Sequence, residues 1–141
     1  MSDVHMNGAC HCGAVKFRVR LVDGFNTIRR CTCSYCRMRG AVAVSATLDD
    51  IEITEGSDCL TLYQFGSKMA KHYFCSICGI YTHHRRRSNP TQYGINVACL
   101  EGLSPFDFAE VPVSDGVAHP SDTAANGPRV AGILRYERKP V

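Results

Sequence analysis

The sequence contains no tryptophan, and its aromatic rings come from 6 Phe and 6 Tyr. A core built from it must lean on aliphatic side chains and on some further constraint. Charge of one sign is also scarce. The 16 Lys and Arg against 13 Asp and Glu leave a formal +3, too small a surplus to mark an electrostatic binder of polyanions. Long apolar runs are missing as well. The longest clean one is Ala41-Val42-Ala43-Val44, far short of the ~20 residues of a membrane span, so no membrane association is expected. The opening Met1-Ser2-Asp3-Val4-His5-Met6 has no basic stretch followed by an apolar one, so no secretory signal is expected and the expected location is cytoplasmic. No internal repeat and no Pro-, Gly- or Ser-rich linker divides the chain. Its 141 residues suit one ordinary domain. With 45% hydrophobic and 21% charged residues, global disorder is excluded.

Cysteine is what the sequence has in excess: 9 residues, an odd number. In a reducing compartment such a count points to metal ligands or free thiols rather than disulfides. Two of the clusters are Cys-x-Cys, a spacing poorly suited to an internal bridge.

The dominant period is two. Residues 15–21 alternate apolar and cationic side chains without error, the pattern of a half-buried strand. Residues 51–54 repeat it. So do residues 93–99, with Tyr93, Ile95, Val97 and Cys99 on one face. Residues 60–65 and 69–74 read as a hairpin joined at Gly66-Ser67, residues 41–46 as a short strand, and residues 130–136 as a last strand or short helix. No stretch of a dozen residues carries a helical stripe, and at most a short helical turn follows Cys36. Residues 114–128 read as an irregular wrap. The expected class is mostly β, with little helix.

The clusters are Cys10-His11-Cys12, Cys31-Thr32-Cys33 running on to Cys36, and Cys75-Ser76-Ile77-Cys78 followed by Gly79. A structural zinc takes four thiolates or imidazoles in a closed tetrahedron. Two pairs distant in sequence, Cys10/Cys12 and Cys75/Cys78, make one such site. The remaining Cys31, Cys33 and Cys36 supply three ligands from one loop, the pattern of a catalytic zinc with an open position. A fourth ligand such as a histidine would close that site too, and either cluster taken alone could be reduced thiols. Seven metal-bound thiolates with two zinc ions would bring the formal charge from +3 to about zero. Cys59 and Cys99 read as small buried hydrophobes. His83 and His84, being adjacent on an extended chain, face opposite sides. Each singly is expected at the surface, and Arg85-Arg86-Arg87 on a solvated loop unless folded beside the open site.

These motifs resemble the glutathione-dependent formaldehyde-activating enzymes, which share a domain with centromere protein V. The matching segments are Gly8-Ala9-Cys10-His11-Cys12-Gly13-Ala14-Val15-Lys16-Phe17, then Cys31-Thr32-Cys33-Ser34-Tyr35-Cys36-Arg37 with Gly40, then Phe74-Cys75-Ser76-Ile77-Cys78-Gly79, and Ile95-Asn96-Val97-Ala98-Cys99-Leu100. The resemblance runs over about residues 7–121 and implies a zinc-pinned twisted β-sheet domain there, of β-tent type. It leaves residues 122–141 as a C-terminal extension packed on the same domain. It implies structural zinc on Cys10, Cys12, Cys75 and Cys78, and a second, proposed catalytic zinc on Cys31, Cys33 and Cys36 that can be lost on purification. The implied activity is a carbon–sulfur lyase, joining glutathione and formaldehyde to S-hydroxymethylglutathione. Arg37, Arg39, Lys68, Lys71 and Arg85-Arg86-Arg87 are the cations that could orient the two carboxylates of glutathione. The other readings are a non-catalytic zinc module that binds a protein or nucleic acid, and a family member that acts on a different small electrophile. Nucleic acid is disfavoured because no aromatic residues interleave the arginine run. The oligomeric state is left open.

Overall fold

The computed structural model describes residues 5–87, 89–116 and 130–140. In chain order the elements are β1 (His5–Ala9), β2 (Lys16–Arg20), β3 (Arg30–Cys31), α1 (Ser34–Arg39), β4 (Ala43–Thr47), β5 (Ile51–Glu55), β6 (Leu60–Tyr63), β7 (Lys71–Cys75), β8 (Tyr81–Arg85), β9 (Gln92–Asn96), β10 (Glu110–Ser114) and β11 (Val130–Arg135). Short 3-10 turns cover Leu48–Asp50, Ser57–Cys59, Val97–Cys99 and Pro105–Asp107. The class is mostly β, as the period-two patterning requires.

Among the described residues three sheets form, ordered β1-β2-β5, β11-β10-β3 and β4-β9-β8-β7-β6. All pairings are antiparallel except β10 with β3, a parallel contact in which Val113 faces Arg30 and Ser114 faces Cys31. The alternation in β2 does what it promises: Phe17 and Val19 are buried while Lys16 and Arg18 point outward. These two side chains join Leu21, Val42, Val44, Ala46, Ile95, Val97, Leu100 and Val111 in the main core. A satellite cluster of Cys10, Val15 and Cys75, with Cys59 and Leu60 packed against it, lies at the cysteine-rich end.

Some expected boundaries move. The strand read over residues 93–99 ends at Asn96, because the Asn96 side chain accepts from the Ala98 amide and starts a 3-10 turn. The burial of Val97 and Cys99 persists through that turn. The helical turn expected after Cys36 begins at Ser34 and contains Cys36. The hairpin of β6 and β7 forms with a longer connection than Gly66-Ser67. Within the stretch read as an irregular wrap, Ser114 belongs to β10, and residues 117–128 lie outside the described residues. Among the described residues no helix is long and apolar enough to cross a membrane.

Candidate functional site

Two tight turns bring four thiols together. In the first, Gly13 donates to the Cys10 carbonyl at 3.1 Å; in the second, Gly79 donates to the Cys75 carbonyl at 2.8 Å. Both glycines hold positive φ, 81° and 78°, a conformation that side chains with a Cβ resist. The Sγ atoms of Cys10, Cys12, Cys75 and Cys78 lie within 4.8 Å of one another. Cys12 Sγ is 3.6 Å from Cys10 Sγ and 3.7 Å from Cys75 Sγ. A tetrahedron with Zn–S bonds of ~2.3 Å has S···S edges of ~3.8 Å, so the spacing fits a zinc ion. The Val15 amide points at Cys10 Sγ from 3.3 Å and the Ile77 amide at Cys75 Sγ from 3.4 Å. Such donors stabilise thiolates.

The second group, Cys31, Cys33 and Cys36, also places its sulfurs within 4.8 Å of one another. Here no fourth Cys, His, Asp or Glu joins the group among the described residues. Cys31 ends β3 and Cys33 caps α1, its Sγ accepting from the Cys36 amide at 3.2 Å. Hydrogen bonds from Cys31 and Cys36 push the Cys33 thiol far down, while Cys36 is pushed up by its bonds to Cys31 and Cys33. Arg39 Nη2 stands 3.5 Å from Cys36 Sγ. The loop after β10 presses on the triplet from outside: a Cβ on Gly116 would collide with Cys31 Sγ and come within 2.7 Å of Cys33 Cβ. Gly116 N instead donates to Thr32 Oγ1 at 2.9 Å.

The triplet opens into a cavity of about 230 Å³. Its wall includes the middle of one cross-strand row of the five-stranded sheet. Tyr63 faces His72, His72 faces His84, His84 faces Gly94, and Gly94 faces Ser45. His72 and His84 line the cavity and stack at 5.3 Å. Arg39 Nη1 donates to His72 Nδ1 at 3.0 Å; a guanidinium only donates, so neutral His72 carries its proton on Nε2. Burial, helped by Arg39, lowers the His72 pKa to about 4, and burial holds His84 well below the ordinary imidazole range. At the far end Ser45 Oγ accepts from both Arg29 Nη1 at 2.9 Å and Arg86 Nη1 at 3.3 Å. Arg86 is held further by Gln92 Oε1 at 2.6 Å. Burial, then the charge of Arg86, lowers the Arg29 pKa to about 10. Arg29 Nη2 and Arg39 Nε find no hydrogen-bond partner among the described residues. Five arginines, Arg29, Arg30, Arg39, Arg86 and Arg87, line the cavity, and no Asp or Glu is among the described residues that do.

A sequence profile described as glutathione-dependent formaldehyde-activating enzyme matches residues 5–110. The chain belongs to this family. A Halomonas elongata protein named "Putative glutathione-dependent formaldehyde-activating enzyme" is 33% identical over 81 residues, covering 52% of this chain and 51% of that one. The chain thus spans about half the length of that curated relative. The crystal structure of a Rhodobacter sphaeroides protein is also similar, with 59% identity, a TM-score of 0.75, and coverage of 77% of this chain and 99% of that one.

Within this fold the two cysteine groups assemble as the spacing predicts, and His11 stays exposed between its two neighbours. Cys99 is buried and Cys59 half-buried. The histidine expectation needs correcting. His83 and His84 do face opposite sides, but neither is a surface residue. They lie on β8, where His83 is buried against Tyr73 and Phe17 with Nδ1 2.8 Å from Thr82 Oγ1. The arginine run divides too. Arg86 and Arg87 line the cavity, whereas Arg85 turns to the Pro90 carbonyl at 2.9 Å. Of the other expected cations only Arg39 lines it; Arg37, Lys68 and Lys71 do not. Ser45, which holds Arg29 and Arg86, is an addition, as are the lining residues Arg29, Arg30 and His72. The one trace of them in the sequence is that Arg29-Arg30 immediately precede Cys31.

Proposed function

We infer that this protein is a zinc-dependent carbon–sulfur lyase that joins glutathione to a small aldehyde, formaldehyde in the family's name, and splits the adduct in reverse. One observation carries the reading: a three-thiol group opens into a cavity lined by five arginines and, among the described residues, by no carboxylate. Three protein ligands with room for a fourth suit a catalytic metal, and a closed set of four suits a structural one. Cys31, Cys33 and Cys36 would hold the zinc ion, which would supply a Lewis acid for lowering a thiol pKa and polarising a carbonyl oxygen.

The chain's own residues do the rest. Arg29 and Arg86, fixed on Ser45 and Gln92, take a substrate carboxylate in the fork geometry that guanidinium favours. His72 is neutral at pH 7 and keeps a proton on Nε2, so it offers a hydrogen bond to the oxygen that becomes the hydroxyl. Phe65 stands on the cavity wall beside His72, with Tyr35 packed against it. The arginines converge on a concave site rather than spreading over an outer face, which favours a small anion over nucleic acid.

The test follows exchange between glutathione, formaldehyde and their adduct at equilibrium, since thiols add to formaldehyde spontaneously. Acceleration that disappears in Cys33→Ser, with the fold and the first metal retained, supports the lyase. Exchange at the background rate with micromolar wild-type protein loaded with zinc would remove it.

A further inference from the structure

The cavity and the cross-strand row beside it are graded from β4 to β6. At the β4 end Arg29 and Arg86 meet on Ser45. At the β6 end Phe65 supplies an aromatic wall. Phe65 lies face to face with His72, centroids 5.8 Å apart and planes 16° apart. Tyr63 stacks on Phe65 at 5.8 Å, and Tyr35 of α1 closes against both, 5.2 Å from Tyr63 and 5.7 Å from Phe65. Phe65 lines the cavity yet remains 39% exposed. Apolar rings held open to water beside a binding cavity mark a place for an apolar group.

Strands lie ~4.8 Å apart, so the three steps from β7 to β4 separate His72 from Ser45 by ~14 Å. An anion at one end and an apolar group at the other therefore do not compete. Formaldehyde carries only hydrogens on its carbonyl carbon and has nothing to lay on Phe65.

We propose that the aldehyde used here carries an apolar, ring-sized substituent, seated against Phe65, which Tyr63 and Tyr35 brace, while the carboxylates of the thiol lie towards Arg29 and Arg86. This rests on the thiol–aldehyde reading and names its electrophile. The step balances without an oxidant or reductant. The S–C bond forms, the carbonyl π pair moves to oxygen, and the thiol proton ends on that oxygen.

The test is calorimetric titration of the zinc-loaded protein with two stable thioethers, S-methylglutathione and S-benzylglutathione. S-benzylglutathione should bind about tenfold tighter, from ring burial and stacking. Phe65→Ala should bring that ratio to about twofold or less, and Phe65→Leu, which keeps apolar area without a ring, should give an intermediate ratio. Arg86→Gln should weaken both ligands by about tenfold, leaving the ratio in place. Equal binding of the two thioethers to wild type would overturn the apolar substituent and leave the thiol reading standing. A benzyl preference that survives in both Phe65 variants would overturn its placement. If neither thioether binds, both readings fall together.

Discussion

Gly94 gives up its side-chain space to His84. A Cβ at Gly94 would sit 2.9 Å from His84 Nδ1 and 3.1 Å from Nε2, closer still to the ring edge. The two residues are directly paired across β8 and β9, so the ring lies over the glycine, and Tyr81 Oη meets both the His84 ring at 2.6 Å and the Gly94 carbonyl at 3.2 Å. Gly94→Ala should lift His84 into the cavity without touching either cysteine group. Misplacement at a binding floor costs roughly tenfold to a hundredfold in turnover. The check is kcat/KM together with metal content; a variant of unchanged kcat/KM would show the ring position to be irrelevant to the reaction.

Cys75 is wholly buried and belongs to both the four-thiol group and the satellite core. Cys75→Ser should lose the metal of that group and lower the melting temperature by more than about 10 °C. Zinc quantitation and a thermal melt on the same sample decide it. Unchanged values in both would remove the structural role.

Gly116 presses on the triplet at a distance that leaves no room for a methyl group. Gly116→Ala should displace Cys31 or Cys33, weaken the second metal by at least about tenfold, and leave the four-thiol metal in place. Competition with a graded chelator reads the two affinities separately. Equal weakening of both sites would mean a general disruption of the fold instead.

Burial lowers the His83 pKa from its ordinary 6.5 to about 4. The unfolded chain therefore takes up a proton near pH 6.5 that the folded chain refuses until about pH 4. The contribution of this residue to stability is complete above pH 6.5 and is lost as the pH falls through that window, by about 3 kcal/mol in all. Urea midpoints measured from pH 7.5 to 4.5 should fall less steeply for His83→Gln than for wild type. Parallel profiles would assign the acid sensitivity to other groups.

What was legible in the sequence was whatever has a local signature. The alternation of Phe17 and Val19 with Lys16 and Arg18 needs only the pleat of one strand. The turns at Cys10-His11-Cys12-Gly13 and Cys75-Ser76-Ile77-Cys78-Gly79 need only their own glycines. The cross-strand row beside the cavity has no such signature. Tyr63, His72, His84, Gly94 and Ser45 come from five strands, and only the sheet register aligns them. β8 carries no strand signature either, because Thr82 and His83, both buried and polar, interrupt the apolar alternation that announces a strand. The meeting of Arg29 and Arg86 on Ser45 depends on residues 57 apart in the chain finding the same hydroxyl, which spacing alone never records.

The four-thiol group has one more consequence, for the unfolded chain. Cys12 and Cys75 are 63 residues apart, and their turns sit on different sheets. A clip across a loop of that length withdraws about 4 kcal/mol of chain entropy from the unfolded ensemble, by the arithmetic of any cross-link. If an ion held there binds the assembled turns far better than the open chain, apparent stability should climb by about 1.4 kcal/mol for each tenfold rise in free metal. How much of the protein is folded then depends on metal supply as well as on sequence, and a cell short of the ion would hold the same polypeptide with a shorter lifetime.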